Sequence, residues 1–265
     1  IIMCVMTVVA LMAIKDYIDI GQVSRLDKAR VEGITQQPNI LAAFFVYYMF
    51  LFAGFILVYW RNMKSWLLAL PFLACFRGIQ VTFSRGGYLA FAAAAMAIAF
   101  FKNKVLFMAM IFVMILALLN PAVLPKGIQY RLSSTFKNDA VFSTDVEDVV
   151  DTSSQRRIEA WKGALKMIRE EPFTGKGYGI FPHIVPYYAP VQNMDAHNAY
   201  LLIAAEMGLP ALLMFLLTLW IIFWNTRRLY RTTKDPFMKA LALGFLGGLG
   251  GVLIALFSLE QMFAP

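Results

Sequence analysis

Three basic residues stand where polar chain meets apolar runs. Arg85 lies in "SRGGYLA", Arg157 in "QRRIEAWKGALKMIREE" and His197 in "DAHNAYLLIAAEMGLPALL". Arginine stays charged and grips phosphate with a two-pronged fork. Two arginines with a helix N-terminus make a pyrophosphate clamp. A histidine beside the positive end of a helix favours its neutral form, which is what a general base requires. No paired carboxylates, DxD motif or metal-ligand cluster accompanies them. The set predicts acid/base work by one imidazole, with no metal and no cofactor. Each residue has a plainer reading. A lone arginine at a membrane edge is usually a snorkelling anchor, and one on an amphipathic helix usually meets headgroups. His183, between two prolines in "FPHIVPYYAP", reads as a loop residue, and Asp195 as a surface acid. Glu206 stands well inside an apolar run, where a carboxylate must pair or face a polar cavity.

The elements that position these residues are membrane helices. The 265 residues are 60% hydrophobic and 15% charged, with mean hydropathy +0.65. Ordinary soluble domains are about 25% charged, and a helix needs about 20 apolar residues to cross the hydrocarbon layer. Candidate spans cover 1–14, 39–60, 65–76 (holding Pro71), 88–101, 105–119, 199–224 and 237–257. The glycines of "GFLGGLGG" in the last either allow close helix packing or mark a bend.

The charge is unevenly placed. The loops "RNMK", "KNK" and "NTRRLYRTTKDPFMK" hold nine of the 24 Lys/Arg and one of the 16 acids, which equals the whole net charge of +8. Strict alternation puts these loops on one side, and the positive-inside rule makes that side the cytoplasm. The basic pI of 9.5 therefore reports topology. No basic face interleaved with aromatics argues for nucleic acid. Residues 15–38, the corner 77–85 and the segment 121–198 then fall outside. The domain reading is transmembrane helices over 1–120, an outer loop over 121–198 and transmembrane helices over 199–265.

That loop is too long for a simple connector. Its stretch "STFKNDAVFSTDVEDVVDTSS" is acidic and aperiodic, which predicts mobility. Ser153 or Ser154 then caps a predicted helix over 155–171. Ile158, Trp161, Leu165 and Ile168 form one apolar stripe flanked by cations, fit to lie flat in the headgroup zone with the Trp at the interface. "FTGKGYGIF" follows, a tight loop without the ending or preceding strand of a Walker motif. Cys4 and Cys75 are far apart and read as buried apolar residues. The opening "IIMCVMTVVALMAI" lacks the features of a signal peptide, so the chain is expected to start inside a longer protein.

Four elements, in order, resemble the O-antigen ligase family: "EGITQQPNILAAF", "FSRGGYLAF", "RIEAWKGALKMIREEPFTGKGYGIF" and "HNAYLLIAAEMGLPALL". The family also includes polysaccharide polymerases and protein O-oligosaccharyltransferases. The resemblance implies an all-α, GT-C-like polytopic bundle in the bacterial inner membrane, with a large periplasmic loop containing an interfacial helix. It implies a metal-independent, inverting glycosyltransferase facing the periplasm, whose donor is an undecaprenyl-pyrophosphate-linked glycan. The acceptor is lipid A core, a second lipid-linked glycan or a protein hydroxyl. Arg85 and Arg157 would hold the pyrophosphate, Arg157 rather than Arg156 standing four before Trp161. His197 would be the base, with Arg156, Asn198 and Glu206 in supporting substrate-binding roles. Ala211 departs from the family, which usually has glycine there. A lipid-linked-glycan transporter is the rival from another class. It predicts charges at many depths, whereas these gather on one face.

Overall fold

A computed structural model describes residues 2–23, 31–35, 37–120 and 148–257. These are helical, with no strand among them. The chain divides into two compact units, 1–128 with 222–255 and 129–221 with 256–265.

The first unit holds α1 (Ile2–Val23), α2 (Pro38–Val58), α3 (Ala69–Val81), α4 (Arg85–Lys102) and α5 (Lys104–Leu119). α1 continues past the expected end at residue 14, carrying Lys15, Asp16 and Asp19 in helical conformation. Charge ends an apolar run without ending a helix. The expected helix over 65–76 is instead a 3-10 turn, Met63–Leu68, followed by α3. Pro71 falls in the first turn of α3, where a missing N–H costs nothing. α9 (Pro236–Ala255) closes this unit.

The glycines of α9 serve close packing and not a bend. A methyl group at Gly244 would stand 2.7 Å from Leu51 Cα, and one at Gly250 2.6 Å from Ala97 Cβ. α9 thus lies backbone-to-backbone on α2 and α4. Its first turns meet the last turns of α2, with Phe237 and Phe55 ring centroids 5.3 Å apart. Lys102 at the end of α4 donates to Leu57 O near the end of α2, at 2.7 Å. So α2 and α4 run parallel and α9 runs against both. The loops after α2 and α4 and the loop before α9, which hold the excess positive charge, therefore share one end of this unit.

The second unit holds α6 (Asp148–Glu170), the single turn α7 (Phe181–Ile184) and the first part of α8 (Ala199–Thr232). Ser153 and Ser154 lie inside α6 and do not cap it. Serine interrupts a helix only weakly. The acidic stretch is therefore helical from residue 148, and its earlier part lies outside the described residues. Among the described residues, three helices are long and apolar enough to cross a membrane: α2, α8 and α9. At 13 and 16 residues, α3 and α5 fall short of that length. The architecture is an all-α, polytopic membrane protein.

Candidate functional site

In the first unit, the segment before α2 builds one corner. Gly33 adopts φ +52, and a 3-10 turn brings Pro38 to the first position of α2. Asn39 follows, and its Oδ1 accepts a 2.9 Å hydrogen bond from Ser84 Oγ. That same oxygen of Ser84 accepts from Gly87 N at 3.2 Å, capping α4. Arg85 is the first residue of α4 and is half-buried. Gly87 admits the two helices here, since a methyl on it would stand 2.6 Å from Ala42 Cβ. Two sequence elements 45 residues apart thus meet in one hydrogen bond, and Asn39 is a partner the sequence reading missed.

In the second unit, α6 packs through Ala160, Ala164 and Met167, all fully buried. Of the stripe expected to lie in the headgroup zone, Ile158 and Leu165 are exposed, at 48% and 46%, while Ile168 packs against the buried cluster. Trp161, half-buried, also has partners inside this unit. Its Nε1 donates to Ala196 O at 2.7 Å, and its ring meets Phe257 edge-on. This bond fastens α6 to the residue before His197.

His197 is buried and left-handed, with φ +49, a conformation that costs a non-glycine residue about 1–3 kcal/mol. Asn198 holds it there. The Asn198 Oδ1 accepts from Tyr200 N and Leu201 N, each at 3.1 Å, and so caps α8. Ala199 N donates to Leu256 O at 2.9 Å. Burial, and after it the charges of Arg157 and Arg156, lower the His197 pKa to about 4. Arg157 is half-buried and Arg156 exposed. Asp195 is half-buried and not a surface acid. Burial raises its pKa, and Ala196 N, donating to its carboxylate at 2.9 Å, opposes that.

α8 is not one continuous helix. Gly208 adopts φ +84 and ψ +168, breaking it two residues after Glu206. The loop after α6 fills the break. Lys176 N donates to Ala205 O at 2.9 Å, Gly177 N to Glu206 O at 2.9 Å, and Leu209 N to Pro172 O at 2.7 Å. The Glu206 carboxylate, 6% exposed, accepts from Phe181 N at 2.9 Å. A buried carboxylate needs such a donor. The loop is also tied to the end of α6, where Glu170 accepts from Lys176 at 2.8 Å and from the Tyr188 hydroxyl at 2.6 Å. His183 is exposed in α7.

The second unit therefore gathers Arg156, Arg157, His197, Asn198 and Glu206, while Arg85 belongs to the first. The signals for the missed contacts were present but unspecific: "PN" at the start of α2, a Trp four residues after Arg157, and "EMG" in an apolar run.

A model of the O-antigen ligase family matches residues 70–216, more than half of the chain. The match takes in Ser84 and Arg85, all of α6, the loop after it and α8 past its break. No curated protein matches the chain. The chain belongs to the O-antigen ligase family, membrane glycosyltransferases of the ligase and polymerase type.

Proposed function

We propose that the protein transfers a glycan from an undecaprenyl-pyrophosphate carrier to an acceptor hydroxyl at the periplasmic face of the bacterial inner membrane. The observation that carries this reading is His197, an imidazole kept neutral by burial beside two arginines, on a backbone fixed by the Asn198 cap and the Trp161 bond. A neutral imidazole accepts the acceptor's proton as its oxygen attacks the anomeric carbon. The bond from that carbon to the pyrophosphate oxygen breaks on the opposite face. The electron pair leaves with the carrier pyrophosphate, and the configuration inverts. Arg157, in the unit of His197, holds the pyrophosphate and stabilises its growing charge, the task a metal would otherwise serve; Arg85 is assigned the same ligand by the resemblance of its SRG motif alone. Arg156 adds to the positive field. Asn198 and Glu206, whose side chains serve the backbone around them, act on substrate only through the placement of their neighbours.

The acceptor is a hydroxyl of lipid A core, of a second lipid-linked glycan or of a protein. The periplasmic assignment draws on the shared end of the basic loops in the first unit, which the positive-inside rule sets in the cytoplasm. Ser84 and Arg85 lie at the other end of that unit.

The test is transfer by the full-length protein in proteoliposomes carrying lipid-linked glycan and acceptor. His197→Ala is expected to lower transfer by about 10²–10⁴-fold, the usual worth of a general base. Near-normal transfer by a folded His197→Ala protein would end this reading. Product analysis in the same assay separates ligation to lipid A core from chain growth on carrier lipid.

A further inference from the structure

We propose that Glu206 is a positioning residue. Its carboxylate closes a clasp between the loop 172–181 and the break in α8, and the clasp sets where α6 holds Arg157 relative to His197. This rests on the catalytic reading of His197 and Arg157 above.

The break at Gly208 leaves helix carbonyls and an N–H in need of partners, since buried backbone groups must be paired. The loop supplies them through Lys176, Gly177 and Pro172. Those are main-chain bonds, open to many sequences. Glu206 adds a side chain that reaches one chosen point, Phe181 N. Phe181 is the keystone. Its ring is fully buried in one cluster with Ala160, Ala164 and Met167 of α6 and Ala205 of α8. Holding its backbone from α8 therefore holds α6. The Trp161–Ala196 bond fastens the same two helices near His197. With two ties, α6 can neither slide nor pivot along α8, and Arg157, one turn before Trp161, keeps its place.

The close fit extends to the glycines. A methyl group at Gly208 would press into Phe173 O and stand 2.6 Å from Phe173 C. One at Gly175 would meet the Glu206 carbonyl and stand 2.5 Å from Met207 N. Loop and break are built against each other.

The test compares Glu206→Gln, Glu206→Asp and Glu206→Ala in the full-length protein in proteoliposomes. Gln keeps an acceptor oxygen at the same reach and loses the charge. Asp keeps the charge and loses the reach. The clasp predicts that Gln transfers within about twofold of the parent. Asp and Ala should fall about a hundredfold, the cost of a misplacement of about 1 Å. Hydrogen exchange at Gly177 and Phe181 should quicken in Asp and Ala but not in Gln. The His197 titration should move up in Ala as Arg157 withdraws, and stay put in Gln. Asp outperforming Gln would overturn the proposal, because charge and not reach would then matter. Unchanged exchange in Asp and Ala would also overturn it. Retained transfer by His197→Ala would sink the catalytic reading alone, since the exchange order tests the clasp without it.

Discussion

His197 owes its proton affinity first to burial and then to its arginine neighbours. The sign of each effect is fixed. Both disfavour the imidazolium, so the group stays neutral as the pH falls through the ordinary histidine value of about 6.5. It charges only near 4. The chain has two histidines, so a labelled-imidazole titration with His183→Gln resolves His197 directly. The parent should titrate at about 4. Arg157→Gln should titrate higher, though still below the ordinary value because burial remains. A parent midpoint near 6.5 would remove the electrostatic account. Arg157→Lys separates charge from shape. The charge stays, so the His197 titration should barely move. The fork is lost, so transfer should drop roughly 10–100-fold, the worth of one charge-assisted hydrogen bond. Full transfer by Arg157→Lys would mean that a point charge suffices.

Between elements, single contacts carry the register. Trp161→Phe keeps a ring against Phe257 but removes the donor to Ala196 O, a carbonyl on a fully buried residue. An orphaned buried acceptor costs about 1–3 kcal/mol. The melting temperature should fall, and exchange over residues 196–201 should rise; an unchanged protein would show that the indole bond ties nothing. Two glycines give a second contrast. Gly208→Ala must bear both a left-handed alanine and the collision with Phe173, while Gly179→Ala bears only the first, with nothing within 4 Å of its methyl. Gly208→Ala should destabilise strongly, and Gly179→Ala by about 1 kcal/mol. Equal effects would mean that the loop does not fill the break. These contacts also mark where the sequence stopped being informative. Apolar periodicity found α2, α5 and α9 because long runs need few decisions. In α6 it marked the stripe of large side chains, of which Ile158 and Leu165 are exposed, but not the buried face of Ala160, Ala164 and Met167, because it weights large side chains. Asn198 beside His197 and Ser84 beside Arg85 were visible as motif letters. Their work as helix caps, and the reach of Glu206 to Phe181, depend on folding distant stretches together, which no local spacing encodes.

At the scale of the molecule, the four motif elements pair off, two within each unit. "PN" meets "SRG" through Asn39 and Ser84 in the first unit. The tryptophan and glycine elements of α6 and its loop meet "HN" and "EMG" of α8 in the second. In the first unit the Asn39–Ser84 contact lies at the start of α2 and α4, and the Lys102–Leu57 contact at their ends. The distance between is the length of α2, 21 residues at about 1.5 Å each, or roughly the hydrocarbon thickness. Arg85 and the basic loops should therefore open to opposite sides of the membrane. Cysteine labelling checks this in a background of Cys4→Ser and Cys75→Ala. Met63→Cys, 80% exposed, and Asp235→Cys, also exposed, report the basic end. Tyr187→Cys, 85% exposed, reports the loop after α6. In intact cells an impermeant maleimide should label Tyr187→Cys and spare the other two until the membrane is opened. Labelling of Met63→Cys and Asp235→Cys in intact cells would reverse the orientation. It would put Arg85 on the cytoplasmic side, and the proposed periplasmic transfer would have to be abandoned with it.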